Sequence, residues 1–232
     1  MTSNVAFSVE GAWVRESGDE GRVTGFENLT IGVKYQMYTD EDAELVLSIG
    51  VGAELGGTGS KRLHVAGFDT YAAAFYFGKG FGDLPDSVQL LRPLALTGVV
   101  GLEVPADRVS YDEEEAEWGR NPSHVVLGAA IEYSLPYLHA NVRDFGLPDW
   151  LNQVTPLVEL SFSMPSGQST DDGTTGTISP GFLWSGRFIQ VGVEVVFPIN
   201  HDSGDAVGAA VQLHFALDDV FPESIGAPVF AD

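Results

Sequence analysis

Residues 176–217, GTISPGFLWSGRFIQVGVEVVFPINHDSGDAVGAAVQLHFAL, decide the fold. Ile189, Val191, Val193, Val195 and Phe197 alternate with Gln190, Gly192, Glu194 and Val196. After a polar loop the alternation resumes. Val207, Ala209, Val211, Leu213, Phe215 and Leu217 take one face, and Gly208, Ala210, Gln212, His214 and Ala216 take the other. Period two over this length is a strand signal, because successive side chains leave a pleated strand on opposite sides. A soluble sandwich strand hides its large apolar face and shows charged and hydroxyl side chains to water. Here the second face is Gly, Ala, a few amides and single acids, which suits a crowded interior. The aliphatics then point outward, and large-out with small-or-polar-in is the arrangement of a transmembrane β-barrel.

The same two-faced pattern recurs at 5–14, 28–39, 44–55, 70–79, 93–104, 124–134, 156–164 and 177–185, giving ten strand segments in all. Each has roughly the 9–12 residues that a tilted strand needs to cross hydrocarbon. The expectation is an all-β, up-and-down antiparallel transmembrane β-barrel of about ten strands, one domain over 1–232. With the last strand ending on the periplasmic side, parity places the tight turns 38–43 (YTDEDA) and 185–187 (SGR) there. The long polar connections 15–27, 56–68, 105–122, 165–176 and 198–205 fall on the other side. Short turns on one side and long loops on the other are what outer-membrane barrels show. Two turn-side connections, 80–92 and 135–153, are long. In the second, Leu138, Val142 and Phe145 have helical spacing, so either an interfacial amphipathic helix or a loop tucked under the barrel mouth is expected.

Bulk composition excludes several classes. With 11 basic against 33 acidic residues and a net charge of −22, the chain lacks the basic footprint of a nucleic-acid binder. It contains no cysteine, so it has neither a disulfide framework nor a thiolate metal site. No apolar run reaches the ~18 residues of a membrane helix. The chain opens MTSNVAFSVEG and enters an alternating strand directly; since a barrel of this kind must be exported, a mature chain, a trimmed one or a late-placed start is expected.

The small-residue face carries the chemistry. Glu10, Glu54, Glu103, Glu132, Glu159 and Glu194 each sit on that face of a different strand, together with Lys34, Gln36, Gln190, Gln212 and His214. These are the candidate lumen-lining residues. Carboxylates inside a barrel bias a pore toward cations, or pair with bases and plug it; a merely solvated polar interior is the bland reading. Aromatics cluster near strand ends as a candidate interface girdle: Tyr35, Tyr38, Phe77, Phe81, Trp184, Phe188, Phe197 and Phe215. His124, His139, His201 and His214 show no metal-ligand spacing, and no metal or cofactor is expected. His201-Asp202-Ser203 has the residue types of a hydrolase triad, which only spatial geometry makes into one. The acidic run Asp112–Glu117 is read as a solvated loop, with divalent-cation binding beside lipopolysaccharide as its alternative.

The segments 179–204 (SPGFLWSGRFIQVGVEVVFPINHDSG) and 207–230 (VGAAVQLHFALDDVFPESIGAPVF) resemble an uncharacterised family of proteobacterial outer-membrane β-barrels. So do 75–87 (FYFGKGFGDLPDS), 91–101 (LRPLALTGVVG), 131–138 (IEYSLPYL) and 146–150 (GLPDW). These barrels are similar to the "transporter" barrels of phenol meta-pathway degradation clusters. The resemblance covers the chain from about residue 26 onward. It implies a signal peptide and one or two further N-terminal strands in the full protein, hence about twelve strands, and the aromatic closing the last strand is normally terminal, as Phe230 is not. The functional expectation is a narrow outer-membrane channel for small, by resemblance aromatic or hydrophobic, solutes, and not an enzyme. Its partners are outer-membrane lipid, lipopolysaccharide and the solute. A closed structural or loop-binding barrel and a lipid-modifying barrel enzyme are the alternatives.

Overall fold

A computed structural model of the chain describes residues 4–18, 21–63, 65–112, 117–166 and 173–215. The interior of the acidic run (113–116), part of the 165–176 loop (167–172) and the C-terminal 216–232, with Ala216, Leu217 and Phe230, lie outside the described residues. Among the described residues fourteen strands occur in chain order: β1 Val5–Glu10, β2 Trp13–Gly18, β3 Gly21–Phe26, β4 Leu29–Asp40, β5 Leu45–Leu55, β6 Thr70–Gly80 and β7 Leu94–Pro105. They continue as β8 Val109–Asp112, β9 Glu117–Arg120, β10 Ser123–Tyr133, β11 Val154–Ser166, β12 Thr175–Ser185, β13 Ile189–Pro198 and β14 Gly208–Phe215.

Ten of these form one antiparallel sheet in the order β1-β4-β5-β6-β7-β10-β11-β12-β13-β14, an up-and-down meander in which each neighbour in the sheet is next along the chain. The ten strands are the ten segments of the alternating pattern. The sheet is open, with β1 and β14 as its edges. Two separate hairpins, β2–β3 and β8–β9, extend the 11–28 and 106–122 connections. Those two connections were expected as loops, and the 5–14 segment as one strand. It divides at Gly11 and Ala12, beyond which the chain pairs with β3 instead of β4.

Register holds the two faces apart across the sheet. Val33, Val51, Ala73, Leu102, Val125, Met164 and their pair partners share one face, which is the aliphatic one. A bulge at Met37, between Gln36↔Ser48 and Tyr38↔Leu47, shifts the end of β4 by one residue and turns Tyr38 onto that face with Tyr35. Between β12 and β13 the ladder skips from Ile178↔Phe197 to Gly181↔Glu194, around Pro180, which has no N–H to give.

Among the described residues Leu138 is the one aliphatic or aromatic side chain that is buried. Val51 is 63% exposed and Ile49, Val100, Leu102, Ile131 and Phe182 lie on the surface with it. A water-soluble domain of this size removes such groups from water, at about 25 cal/mol per Å² of apolar area. Here the sheet's apolar face is its outer face. No helix among the described residues is long and apolar enough to cross a membrane.

The turn-side connections are tied together. Glu44 closes the β4–β5 turn at φ 47, a left-handed conformation costly for a residue with a Cβ. Its carboxylate accepts the Gly82 N–H at 2.7 Å, and Lys79 Nζ donates to the Ala43 and Gly80 carbonyls at 2.5 Å each and to Asp83 at 3.1 Å. In the 134–153 connection Leu135–Tyr137 is one α-helical turn and Leu138–Val142 one π turn. The helix stops at Arg143 (φ −162, ψ 132), so Phe145 is not on a helical face with Leu138 and Val142 and is half exposed. The longer amphipathic helix is therefore not formed. Leu138 is buried where this turn packs near β11 and the 86–91 turn.

Candidate functional site

All eleven residues of the candidate lumen set lie on the second face. Glu10 pairs with Thr30 and Thr30 with Glu54; Lys34 pairs with Ala6 and Gly50; Gln36 pairs with Ser48. Glu103 pairs with Ala72 and His124, and Glu132 with Ala95 and Leu157. Glu159 is flanked by Ala130 and Ser179, Glu194 by Gly181 and Ala210, Gly192 by Gln212, and Gln190 by Ser185 and His214. A recurring rule is visible: most of the long acidic side chains have Gly, Ala, Ser or Thr across the strand. The glycine at 181 is a spatial requirement, since a Cβ there would run into the Glu194 side chain and the Val193 carbonyl. Large beside small is how a narrow concave surface is filled without clash.

That face is strongly concave. A cavity of about 190 Å³ touches both Thr97 on β7 and His214 on β14. Those strands are five spacings apart, about 24 Å in a flat sheet at ~4.8 Å per strand. One small cavity bordered by both ends of this span is what a curled sheet gives.

Three cavities follow one another along the concave face. On the long-loop side, one of about 600 Å³ is lined by Glu103, Ser163, Thr175, Thr177, Asp202 and Ser203 among others. It shares Val99, Gly128 and Ser161 with a middle cavity of about 510 Å³, lined by Lys34, Ser48, Tyr76, Thr97 and Glu159. The middle one shares Thr97, Ala130 and Glu159 with the 190 Å³ cavity on the turn side, where Glu132, Gln190, Glu194, Gln212 and His214 converge. The groove therefore narrows from the loop side to the turn side, and its narrow end is the most acidic. Glu10, Gln36 and Glu54 share the face but line none of the three cavities; Glu54 instead accepts a hydrogen bond from Asn28 Nδ2 at 2.8 Å.

Among the described residues none of Glu103, Glu132, Glu159 or Glu194 has an ion-pair partner. Lys34, the one lysine or arginine on this face among the described residues, sits over the Tyr76 ring at 5.2 Å from its centroid. A carboxylate without a counter-ion is kept either hydrated or protonated, and with Glu159 exposed and the other three half-buried the groove gives water access to them.

Several polar groups of this face and groove stand outside the candidate set. His124 shares the face, and its Nδ1 lies 3.0 Å from Ser163 Oγ; Ser161 Oγ and Thr177 Oγ1 are 2.7 Å apart. Alternation alone was sufficient to place His124, Ser161 and Ser163. Asp202 and Ser203 come from a non-periodic connection, and no sequence signal locates them. Their turn, His201–Ser203, is capped by Asn200 Oδ1, which accepts the Ser203 N–H at 3.2 Å, and is pinned to β12 by the Gly176 N–H donating to Ser203 Oγ at 2.7 Å.

This geometry also settles the His201-Asp202-Ser203 arrangement locally. His201 Nδ1 faces Asp205 at 3.2 Å, while Ser203 Oγ is engaged by Asn200 and by the Gly176 N–H. The serine and the imidazole have different partners: Ser203 and Asn200 clasp the loop to β12, and Asp202 lines the loop-side cavity.

The girdle candidates take the outer face or its ends. Tyr35, Tyr38, Phe188 and Phe197 are exposed, and Phe77 is half-buried because its ring covers Gly98, where no Cβ would fit. Trp184 is paired with Val191 and Val154, Phe81 lies in the β6–β7 connection, and Phe215 closes β14 opposite Ile189. Three turn-side aromatics carry a cation: Lys79 on Phe81 (5.3 Å), Arg143 on Phe145 (5.2 Å) and Arg187 on Phe188 (4.8 Å). An amphipathic ring with a snorkelling cation is suited to the boundary between apolar and aqueous phases. No protein-family model and no curated protein matches the chain.

Proposed function

We propose that this chain is a bacterial outer-membrane β-barrel, closed by β1 pairing with β14, that passes small solutes along its acidic inner groove. One observation carries the reading: the aliphatic face is outermost on strand after strand, while the polar face lines a hydrated groove tapering from about 600 to about 190 Å³. Outside water, an unpaired strand edge leaves backbone groups that nothing satisfies, so a meander of this kind is stable in lipid only when closed. Ten strands make an even number, and β1 and β14 run antiparallel, as closure requires. The resemblance to the phenol-pathway barrels points to aromatic or hydrophobic solutes. The lining argues for small polar and cationic ones, since Glu132, Glu159 and Glu194 stand together at the narrow end with His214 and no lysine or arginine among them.

The test is conductance in a planar bilayer under a KCl gradient. The reading expects single channels whose reversal potential shows cation preference, moved toward anions by Glu194→Lys. A chain that inserts and conducts nothing is a closed structural barrel, and an anion-preferring wild type contradicts the role given to the carboxylates.

A further inference from the structure

The β2–β3 hairpin has two unlike faces. Val14, Val23 and Gly25 share the one that packs inward on the 56–63 connection: Gly25 lies against Ser60 and Leu63, and the Phe26 N–H donates to Ser60 Oγ at 2.8 Å. The other face sets Trp13 opposite Phe26 and Arg15 opposite Thr24, with Arg22 one pair further out. All five side chains are exposed, Trp13 by 60% and Phe26 by 62%. Ser17 is the sixth position on this face, which thus bears two arginines and no acid in a chain with 33 acids and 11 bases. The β8–β9 hairpin has a face of related residues, with a single arginine. Tyr111 lies edge-on to Trp118, centroids 5.4 Å apart, and Val109 is opposite Arg120, all four exposed.

The hairpin begins where the main sheet ends, beyond Glu10 of β1 and before Leu29 of β4, with Trp13 and Phe26 at its base. Going out from its base, this exposed face presents a pair of bare rings, then Arg15 about 7 Å and Arg22 about 13 Å further along the strands. A ligand that fits has an apolar body and an anionic head. Guanidinium forks match phosphate oxygens in pairs, and rings of this kind sit at the level of lipid headgroups.

We propose that this face binds a phosphorylated glycolipid of the outer leaflet, of the lipid A type: Trp13 and Phe26 seat against its acyl boundary, and Arg15 and Arg22 grip a phosphate. The proposal rests on the outer-membrane reading. It also gives the acid-rich loop side a defined point of contact with an anionic lipid that would otherwise repel it.

The test uses the full chain refolded into neutral phosphatidylcholine vesicles, with bis-phosphorylated lipid A or the same lipid after enzymatic dephosphorylation, and reads bound lipid by native mass spectrometry. Wild type is expected to bind the phosphorylated form preferentially. Arg15→Gln with Arg22→Gln should lower that affinity roughly tenfold or more, since two charge-assisted contacts are lost. Dephosphorylated lipid should show the same weak binding to wild type and double variant. Trp13→Ala should weaken both lipids. Indifference to the phosphates, no effect of the arginine pair, or full competition by inorganic phosphate overturns the proposal. Vesicle insertion and channel conductance are read on the same samples. Insertion with phosphate-indifferent binding removes the lipid site alone, whereas failure to insert removes the outer-membrane reading and the lipid site together.

Discussion

Val99 and Val100 are adjacent, equal in size and on opposite faces of the middle of β7. Val99 lines the loop-side and middle cavities, while Val100 is 49% exposed among Phe75 and Leu127 on the aliphatic face. Substituting each by arginine asks which solvent touches which face. If the aliphatic face meets hydrocarbon, Val100→Arg places a cation near mid-membrane at a cost of about 2–4 kcal/mol. That is roughly a 30- to 900-fold loss in the folding equilibrium. If the face meets water, the same change stays within about 0.5 kcal/mol and raises solubility. Val99→Arg has the opposite logic: the groove is hydrated and acidic, with Glu103 and Glu159 lining the same cavities, so its cost is expected below about 1 kcal/mol. Its effect should appear as reduced single-channel conductance. The assay is urea titration of the chain folded in phosphatidylcholine vesicles, followed by tryptophan fluorescence. Equal costs for the two variants, or a Val100→Arg chain that is stable and monomeric without detergent, would refute the assignment of the faces.

Closure can be trapped covalently, because the chain contains no cysteine to confuse the result. Ser8→Cys combined in turn with Gly208→Cys, Ala210→Cys or Gln212→Cys should give one oxidised pair, seen by gel shift; no cross-link in any combination would mean that other strands separate β1 from β14. Asn28 is buried at 5% exposure and joins Glu54, Ala66 and Gly59 at 2.8–3.0 Å, so Asn28→Ala should cost about 1–3 kcal/mol and open the 56–69 connection to protease. Glu132→Gln with Glu159→Gln should weaken cation preference without loss of folding, read from the reversal potential; an unchanged potential would assign selectivity elsewhere.

The strands were legible because period-two alternation survives wherever the two faces meet different surroundings, and all ten main strands do. Register followed from the same pattern, since a one-residue slip would exchange the faces. The failures have one cause, which is the loss of periodic contrast. Residues 5–14 alternate throughout, and nothing in that pattern marks Gly11 and Ala12 as the point where the chain leaves the sheet. The β2–β3 and β8–β9 hairpins are short, glycine-bearing and polar, with a pattern too brief to separate from a loop. At 138–145 the helical spacing was genuine, but the chain turns extended at Arg143, before Phe145. Of the groove, the strand-borne carboxylates were readable by parity. Asp202 and Ser203 were not, because a capped turn folds them over β12 through contacts that have no sequence period.

The inversion of the faces and the acidity of the groove are linked by volume. A sheet that curls tightly enough for one small cavity to touch β7 and β14 leaves little room inside, which favours Gly, Ala, Ser and Thr at inner positions. Where a long side chain does enter, it must lie over such a small neighbour, as Glu194 does between Gly181 and Ala210 and Glu159 between Ala130 and Ser179. Aliphatic chains at those positions would fill the space and dry it. Carboxylates instead hold water against the wall, because their desolvation would cost more than the packing returns. The sequence therefore keeps open the space its small residues create, and the same choice gives that space a sign. On this reading charge and patency are a single property: replacing the inner glutamates with leucine would close the passage before it changed the ion preference.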